Sequence, residues 1–187
     1  MNLDSNWSVF VYFTKVAIVV MLNLYLVCMK TASLRDIKLE LKDKSKEEIT
    51  ELCLLLTKFK KENKELLTYL LYERQNEAAY VQGVKEDVDA QFYGINKATY
   101  YFINKGVRKV LRSCKKYIRY SKNKETEAEV LIYFCSKVKE VSEYYDHNTS
   151  LLSIYDKQLE IARKKISSLH EDLQFDYGLM IDEVLGE

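Results

Sequence analysis

Length, composition and charge limit what this chain can be. With 187 residues it is the size of one ordinary domain, and 48% of its residues are apolar, which excludes a disordered chain. A net charge of +1 gives no overall field that would favour nucleic acid or membrane. The chain has no proline and only five glycines, so helix-breaking residues are rare and glycine turns for β-hairpins are scarce. We therefore predict an all-α bundle of five or six amphipathic helices.

The first 28 residues are mostly apolar, and two interpretations of them are open. Val9–Cys28 contains only three polar residues, and twenty residues of helix span about 30 Å, the thickness of a bilayer core. A transmembrane helix here would anchor the protein in the inner membrane with residues 29–187 in the cytoplasm, because the basic residues follow the segment. Alternatively, translation starts at Met29, and the helical domain 29–187 is a cytoplasmic protein.

The next part of the chain carries two capping signals and a heptad pattern. Ser33 can begin a short helix that ends near Leu41. Ser45 and Glu48 form a capping box for a second helix. Apolar residues then recur at alternating spacings of three and four, with one asparagine in the series: Ile49, Leu52, Leu56, Phe59, Asn63, Leu66 and Leu70. The asparagine either fixes the register of a homo-oligomeric coiled coil or marks a break near 60–64 that divides the run into two helices.

Apolar periodicity predicts four further helices downstream. They cover about Glu77–Ile95, Ala98–Tyr120, Glu125–Tyr145 and Leu151–Leu173. A polar break at 146–150 separates the last two. The residues expected on the inner faces of the first and third of these helices are Tyr80, Val84, Val88, Phe92, Ile95, Ala128, Leu131, Cys135 and Val138.

One predicted helix is strongly basic. From Ala90 to Lys124 the sequence has ten basic residues and no acidic one. On a helical wheel its apolar residues, Ile103, Val107, Val110, Cys114, Tyr117 and Ile118, share one arc. The nearly opposite arc, which we call the basic face, consists of Lys105, Arg108, Lys109, Arg112, Lys115, Lys116 and Arg119. The helix can therefore dock on a core while its cations point outward, where they repel one another unless an anionic partner is present.

The basic face leads to two functional hypotheses. In the first, the chain is a non-enzymatic binding or scaffolding protein, and the basic face binds nucleic acid, an anionic membrane surface or an acidic protein. In the second, the chain is a structural helical oligomer whose basic helix is neutralised by its own acidic C-terminal region. That region, residues 169–187, has no lysine or arginine and carries Glu171, Asp172, Asp176, Asp182, Glu183 and Glu187.

The sequence contains no recognisable catalytic motif. His147 and His170, its only histidines, lie in neither an HExxH nor a Glu-x-x-His pattern. The acidic residues beside His170 and those from Glu86 to Asp89 are expected to be solvated helix faces. Four widely spaced cysteines are expected to act as small hydrophobic residues. We therefore predict a protein that is not an enzyme and that uses no metal or cofactor, and the sequence identifies no small-molecule substrate.

Several stretches resemble a family of small uncharacterised all-helical bacterial proteins. The stretch Ile49–Glu73, whose core reads KFKKENKELLTYLL, is similar to a recurring segment of that family. The pieces YYFI at 100–103, KYIRY at 116–120 and LHEDL at 169–173 are similar too. The resemblance covers about residues 29–177 and leaves out the apolar N-terminus. It implies an all-helical fold, and it implies no function because the family has no assigned activity.

Overall fold

The structure of the chain, a computed structural model, describes residues 31–142 and 148–186. These residues form eight α-helices and no β-strand, so the prediction of an all-α bundle is confirmed. The helices are α1 (Leu34–Lys42), α2 (Lys46–Phe59), α3 (Lys61–Thr68), α4 (Glu77–Tyr93), α5 (Tyr100–Ser121), α6 (Lys124–Ser142), α7 (Thr149–Ile166) and α8 (Glu171–Leu185). A π-helical turn, Tyr69–Glu73, follows α3. The helices outnumber the predicted five or six because two of the predicted helical runs are each divided.

The membrane question concerns residues that the structure does not describe. Within residues 31–142 and 148–186, every helix is too short or too polar to cross a bilayer. The apolar segment 1–28 lies outside the described residues. Both interpretations of this segment, a membrane span and a translation start at Met29, therefore stay predictions.

Two compact units divide the chain, Met1–Leu55 and Leu56–Glu187. In the described part of the first unit, α1 and the beginning of α2 contain no buried residue. The capping box predicted for α2 is confirmed. The Ser45 backbone N–H donates to the Glu48 carboxylate over 2.8 Å, and the Glu48 N–H donates to the Ser45 hydroxyl over 3.2 Å. Ser33 and Asp36 form a second capping box at the start of α1.

The heptad run breaks at Lys60, so the second of the two alternatives for Asn63, a break that divides the run into two helices, is confirmed. Lys60 is extended, with φ −141° and ψ 139°, so α2 ends at Phe59 and α3 begins at the next residue. The Asn63 side-chain amide donates to the Leu56 carbonyl over 2.8 Å. That carbonyl lies in the last turn of α2, where no helical N–H is left to bond it. Asn63 therefore stabilises a helix end and does not lie in a continuous coiled-coil seam.

The second unit is built around α6, which contacts α4, α5, α7 and α8. The four predicted inner residues of α6 are all buried. Five further residues of α6 are buried as well, so the full buried set is Thr126, Ala128, Val130, Leu131, Ile132, Phe134, Cys135, Val138 and Val141. A helix that is apolar around most of its circumference is a central helix. The five inner residues predicted on α4 and the loop after it are also buried.

The prediction of one helix over Leu151–Leu173 is wrong. α7 ends at Ile166 and α8 begins at Glu171, with the His170 imidazole as N-cap, accepting from the Asp172 N–H over 3.4 Å. The apolar spacing nevertheless continues across the break because Leu169 and Leu173 both pack against the core. Periodicity alone therefore could not reveal the end of α7.

A close contact between α5 and the preceding loop makes Gly106 necessary. A Cβ atom at Gly106 would lie 2.8 Å from Cγ2 and 2.9 Å from Cγ1 of Ile95, a buried side chain. We expect Gly106→Ala to lower the free energy of unfolding by about 1 kcal/mol, because overpacking outweighs the gain in helix propensity. Gly83→Ala on α4 is the matched control, since no atom lies within 4 Å of its added Cβ. It should raise the free energy of unfolding by about 0.5–1 kcal/mol. Urea denaturation measures both values, and stabilisation by both variants would contradict the contact.

Candidate anion-binding face

α5 has the two-sided character that its sequence predicts. The Thr99 hydroxyl caps its N-terminus by accepting from the Phe102 N–H over 3.4 Å. Ile103, Val107, Val110 and Cys114 are each at most 1% exposed and face the core of the second unit. The other two predicted inner residues of α5 are partly buried and pack against the same core. Because this side of α5 faces the core, the opposite side of the helix points away from the core.

Five of the seven residues of the basic face are exposed and form no ion pair with any residue that the structure describes. Lys105, Arg108, Lys109, Arg112 and Lys115 all have exposed side chains. In residues 31–142 and 148–186, no carboxylate lies within 4 Å of their nitrogens. Arg108 instead donates to the Ser150 hydroxyl of α7 over 2.9 Å. These five residues form an exposed cationic surface along one side of α5, and none of them has a carboxylate partner among the described residues.

The two remaining residues of the basic face interact with α3. Lys116 is only 21% exposed, and its Nζ lies 2.6 Å from Oε2 of Glu65, so it does not point freely outward as predicted. Arg119 is 67% exposed and lies 4.0 Å from the Glu62 carboxylate. Burial raises the pKa of Glu65, but hydrogen bonds from Lys116 and Tyr120 lower it, and the pKa falls below its ordinary 4.5. Lys116 therefore holds α3 on α5 and is lost to an external partner.

In residues 169–186, the described part of the acidic C-terminal region, no carboxylate pairs with the basic face. α8 packs on α6 and α7. None of the carboxylates of residues 169–186 forms an ion pair with the basic face, whereas Glu62 and Glu65 of α3 do. Glu187 lies outside the described residues. The neutralisation expected from this region therefore does not occur among the residues that the structure describes.

Arg112 lies at the centre of the repulsion on the basic face. Four cations neighbour it at three or four residues along the helix: Arg108, Lys109, Lys115 and Lys116. Each like-charged pair at this spacing costs about 0.2–0.5 kcal/mol. We expect Arg112→Gln to raise the free energy of unfolding by about 1 kcal/mol at low ionic strength, and the gain should vanish in 1 M salt.

Urea denaturation at both ionic strengths measures this effect. Lys157→Gln is the matched control, because Lys157 is also exposed, on α7, but has Glu160 three residues away. That substitution removes an attraction and should not stabilise. Equal effects of the two substitutions would mean that the cations of α5 do not repel one another.

Carboxylates that bind tyrosine hydroxyls are the feature that sequence reasoning missed. Asp87, expected to be solvated, accepts from the Tyr117 hydroxyl over 2.9 Å. Asp89 accepts from the Tyr133 hydroxyl over 2.6 Å, and burial together with this hydrogen bond raises the pKa of Tyr133 to about 12. The pairs lie 30 and 44 residues apart in the chain. No local pattern could have revealed them.

A further carboxylate, Glu77, receives three hydroxyl groups. Tyr69 donates over 2.9 Å and Thr126 over 2.7 Å, and the Ser121 hydroxyl donates to the same carboxylate. These donors belong to the π-helical turn, the start of α6 and the end of α5. Glu77 therefore joins three elements to the first turn of α4.

The described residues that were considered for catalysis do not converge. His170 is an exposed N-cap of α8, and Glu86 is exposed and bonded to Gln82 over 3.2 Å. Burial raises the pKa of the Cys114 and Cys135 thiols to about 12, which leaves both protonated near neutral pH. In residues 31–142 and 148–186, no three potential metal ligands lie together. His147 lies outside the described residues.

Comparison with known proteins assigns the chain to no family. No protein-family model, curated protein or solved structure matches the chain. The resemblance to small helical bacterial proteins therefore stays a prediction. What the fold and the charge distribution define is an all-α bundle with a cationic surface on one helix.

Proposed function

We propose that this chain is a non-enzymatic binding protein and that the basic face of α5 binds an anionic partner, nucleic acid or an anionic membrane surface. One observation supports this proposal above the others. Between Lys105 and Lys115, five exposed cations lie within about 15 Å of helix, and none has a carboxylate partner among the described residues.

Exposed cations elsewhere in the second unit are arranged differently. On α7, Lys164 lies 2.7 Å from Glu160, and Lys165 lies 2.9 Å from Glu127 of α6. Charges of both signs are mixed there, as on an ordinary solvated surface. On α5 the cations are gathered on one side and repel one another, and an array of phosphates would relieve that repulsion. Both candidate partners are available on the cytoplasmic side, in agreement with the expected cytoplasmic position of the helical domain.

Salt-dependent binding tests the proposal. The full chain is titrated with double-stranded DNA, single-stranded RNA and phosphatidylserine-containing vesicles from low to physiological salt. We expect binding to at least one of them, with an affinity that falls steeply as salt rises. Absence of binding to all three at low salt would rule the proposal out.

A second candidate function, a homo-oligomer, is favoured by the apolar face of α2. Ile49, Leu52, Leu56 and Phe59 follow the heptad spacing and are 36%, 41%, 60% and 80% exposed. A second copy of the chain could bury this face in a two-helix seam. Sedimentation equilibrium is expected to show a dimer that Leu56→Glu converts to monomer. A monomer across micromolar concentrations of the unaltered chain would remove this candidate.

A further inference from the structure

Two aromatic side chains extend the basic face at its N-terminal end. Tyr101 is 67% exposed and Phe102 is 42% exposed, and both lie in the first turn of α5. Their ring centroids are 5.5 Å apart with an interplanar angle of 72°, so the rings meet edge to face. Tyr101 precedes Lys105 by four residues and Phe102 precedes Lys109 by seven, spacings that place them on the same side of the helix.

This combination suits the interface of a membrane. Cations on the polar side of a helix bind anionic head groups, while aromatic rings lie at the boundary between head groups and acyl chains. From Tyr101 to Lys115 the surface is about 21 Å long, with the rings at one end and the five exposed cations along the rest. A phenylalanine gains from leaving water, and the bundle leaves 42% of Phe102 exposed.

The surroundings of α5 are less suited to reading a nucleic-acid duplex. Lys116 and Arg119 tie the C-terminal half of α5 to α3, and Arg108 ties its N-terminal half to α7. A major groove about 12 Å wide admits an α-helix, but three of the basic residues that would contact the duplex are engaged with α3 and α7 instead. In the described residues around this surface, the amide that could read adenine, Asn104, is half-buried and accepts from Asn148 over 3.1 Å.

From these observations we infer that the anionic partner is the surface of a bilayer containing anionic lipids, with Tyr101 and Phe102 inserted at the boundary of the head groups. This inference rests on the proposed function and specifies its partner. The cations supply attraction that depends on lipid charge, and the two rings supply an apolar contact that neither DNA nor RNA backbone offers.

A fluorescent probe at the aromatic site tests the inference. Trp7 is the single tryptophan of the chain, so a Trp7→Phe, Tyr101→Trp variant of the full chain reports on position 101 alone. We expect a blue shift of its emission, quenchable by brominated lipid, on vesicles of phosphatidylcholine with phosphatidylserine. On vesicles of phosphatidylcholine alone no shift is expected. This control distinguishes contact of position 101 with anionic lipid from insertion of the apolar segment 1–28, which would not depend on lipid charge.

Affinity measurements complete the test. Tyr101→Ser with Phe102→Ser should weaken binding to phosphatidylserine vesicles at least tenfold and leave any affinity for double-stranded DNA unchanged, because the bases of a duplex are not free to stack on the rings. The control, Tyr72→Ser with Phe175→Ser, removes two aromatic rings that are 77% and 69% exposed and lie off α5, and should leave vesicle binding unchanged. Circular dichroism spectra and thermal denaturation of both double variants identify any loss of folding.

The possible failures are distinguishable. If the chain binds nucleic acid in a salt-dependent manner but shows no emission shift on anionic vesicles, the lipid inference is overturned and the proposed function stands. If it binds none of the polyanions, both fall. Vesicle binding that is insensitive to loss of the two rings would also overturn the inference.

Discussion

A chain with Lys105, Lys109, Arg112 and Lys115 all changed to glutamine is expected to bind phosphatidylserine-containing vesicles about a thousandfold more weakly than the unaltered chain. Each lysine or arginine at an anionic membrane surface contributes about 1 kcal/mol, so four contribute about 4 kcal/mol, or about three powers of ten. All four side chains are exposed and take no part in an ion pair among the described residues. Co-sedimentation with vesicles at physiological salt measures the loss.

A charge-matched variant separates the basic face from net charge. Changing Lys124, Lys157, Arg163 and Lys164 to glutamine also removes four positive charges, but from exposed positions outside α5. We expect its affinity for vesicles to change by less than tenfold, because distant charges are screened within about 8 Å at physiological salt. Equal losses in the two variants would assign binding to overall charge and would contradict a localised surface.

Stability provides an independent readout of the same substitutions. Because the four cations of the first variant repel one another, their removal should raise the free energy of unfolding at low salt by about 1 kcal/mol or more. Binding would then fall while stability rises. That combination excludes unfolding as the cause, and it is the result expected of residues retained for a partner and not for the fold.

The sequence was sufficient where structure follows local periodicity. The inner residues of α4 and of α5 could be assigned because one turn of helix repeats every 3.6 residues and each of these helices has one buried side. The Ser45 box could be assigned because a helix N-terminus leaves N–H groups that a serine and a glutamate three residues later can satisfy. The exposed direction of Lys105 and Arg112 followed from the same geometry.

The sequence was insufficient where a residue's partner lies far along the chain. Lys116 occupies the cationic arc, yet Glu65, 51 residues earlier, withdraws it from solvent. The division between α7 and α8 was missed because Leu169 and Leu173 continue the apolar spacing through the break. Tertiary packing decided both outcomes, and a single sequence contains no signal for it.

Glu77→Leu is expected to lower the free energy of unfolding by about 3 kcal/mol, the largest effect we expect from a single substitution. Thr126 is 1% exposed and Tyr69 is 3% exposed, so water cannot replace the carboxylate as the partner of their hydroxyls. A buried hydroxyl left without a partner costs about 1–3 kcal/mol, and a hydrogen bond to a charged group contributes about 1.5–3 kcal/mol. Urea denaturation at pH 7 measures the loss.

Glu86→Leu is the control for this substitution. Glu86 lies on the same helix, but it is exposed and its one hydrogen bond, from Gln82, is at the surface. Its replacement should change the free energy of unfolding by less than about 0.5 kcal/mol. A similar loss in both variants would mean that the three hydroxyl contacts of Glu77 contribute nothing beyond those of an ordinary surface carboxylate.

The effect of Glu77 should also depend on pH. Burial raises its pKa, but the hydrogen bonds from Ser121, Thr126 and Tyr69 lower it by more, so the pKa in the folded chain lies below the ordinary 4.5. Ionised Glu77 therefore stabilises the fold fully above the unfolded-state pKa, and this contribution is lost as the pH falls through the lower folded-state value. Glu77→Gln tests this dependence, because it keeps the shape of the side chain and removes the titrating carboxyl group.

The difference in unfolding free energy between this variant and the unaltered chain should be constant from pH 7 to about pH 5 and shrink below pH 4.5. A difference that stays the same down to pH 3 would show that the three hydroxyls recognise the shape of the side chain and not its charge.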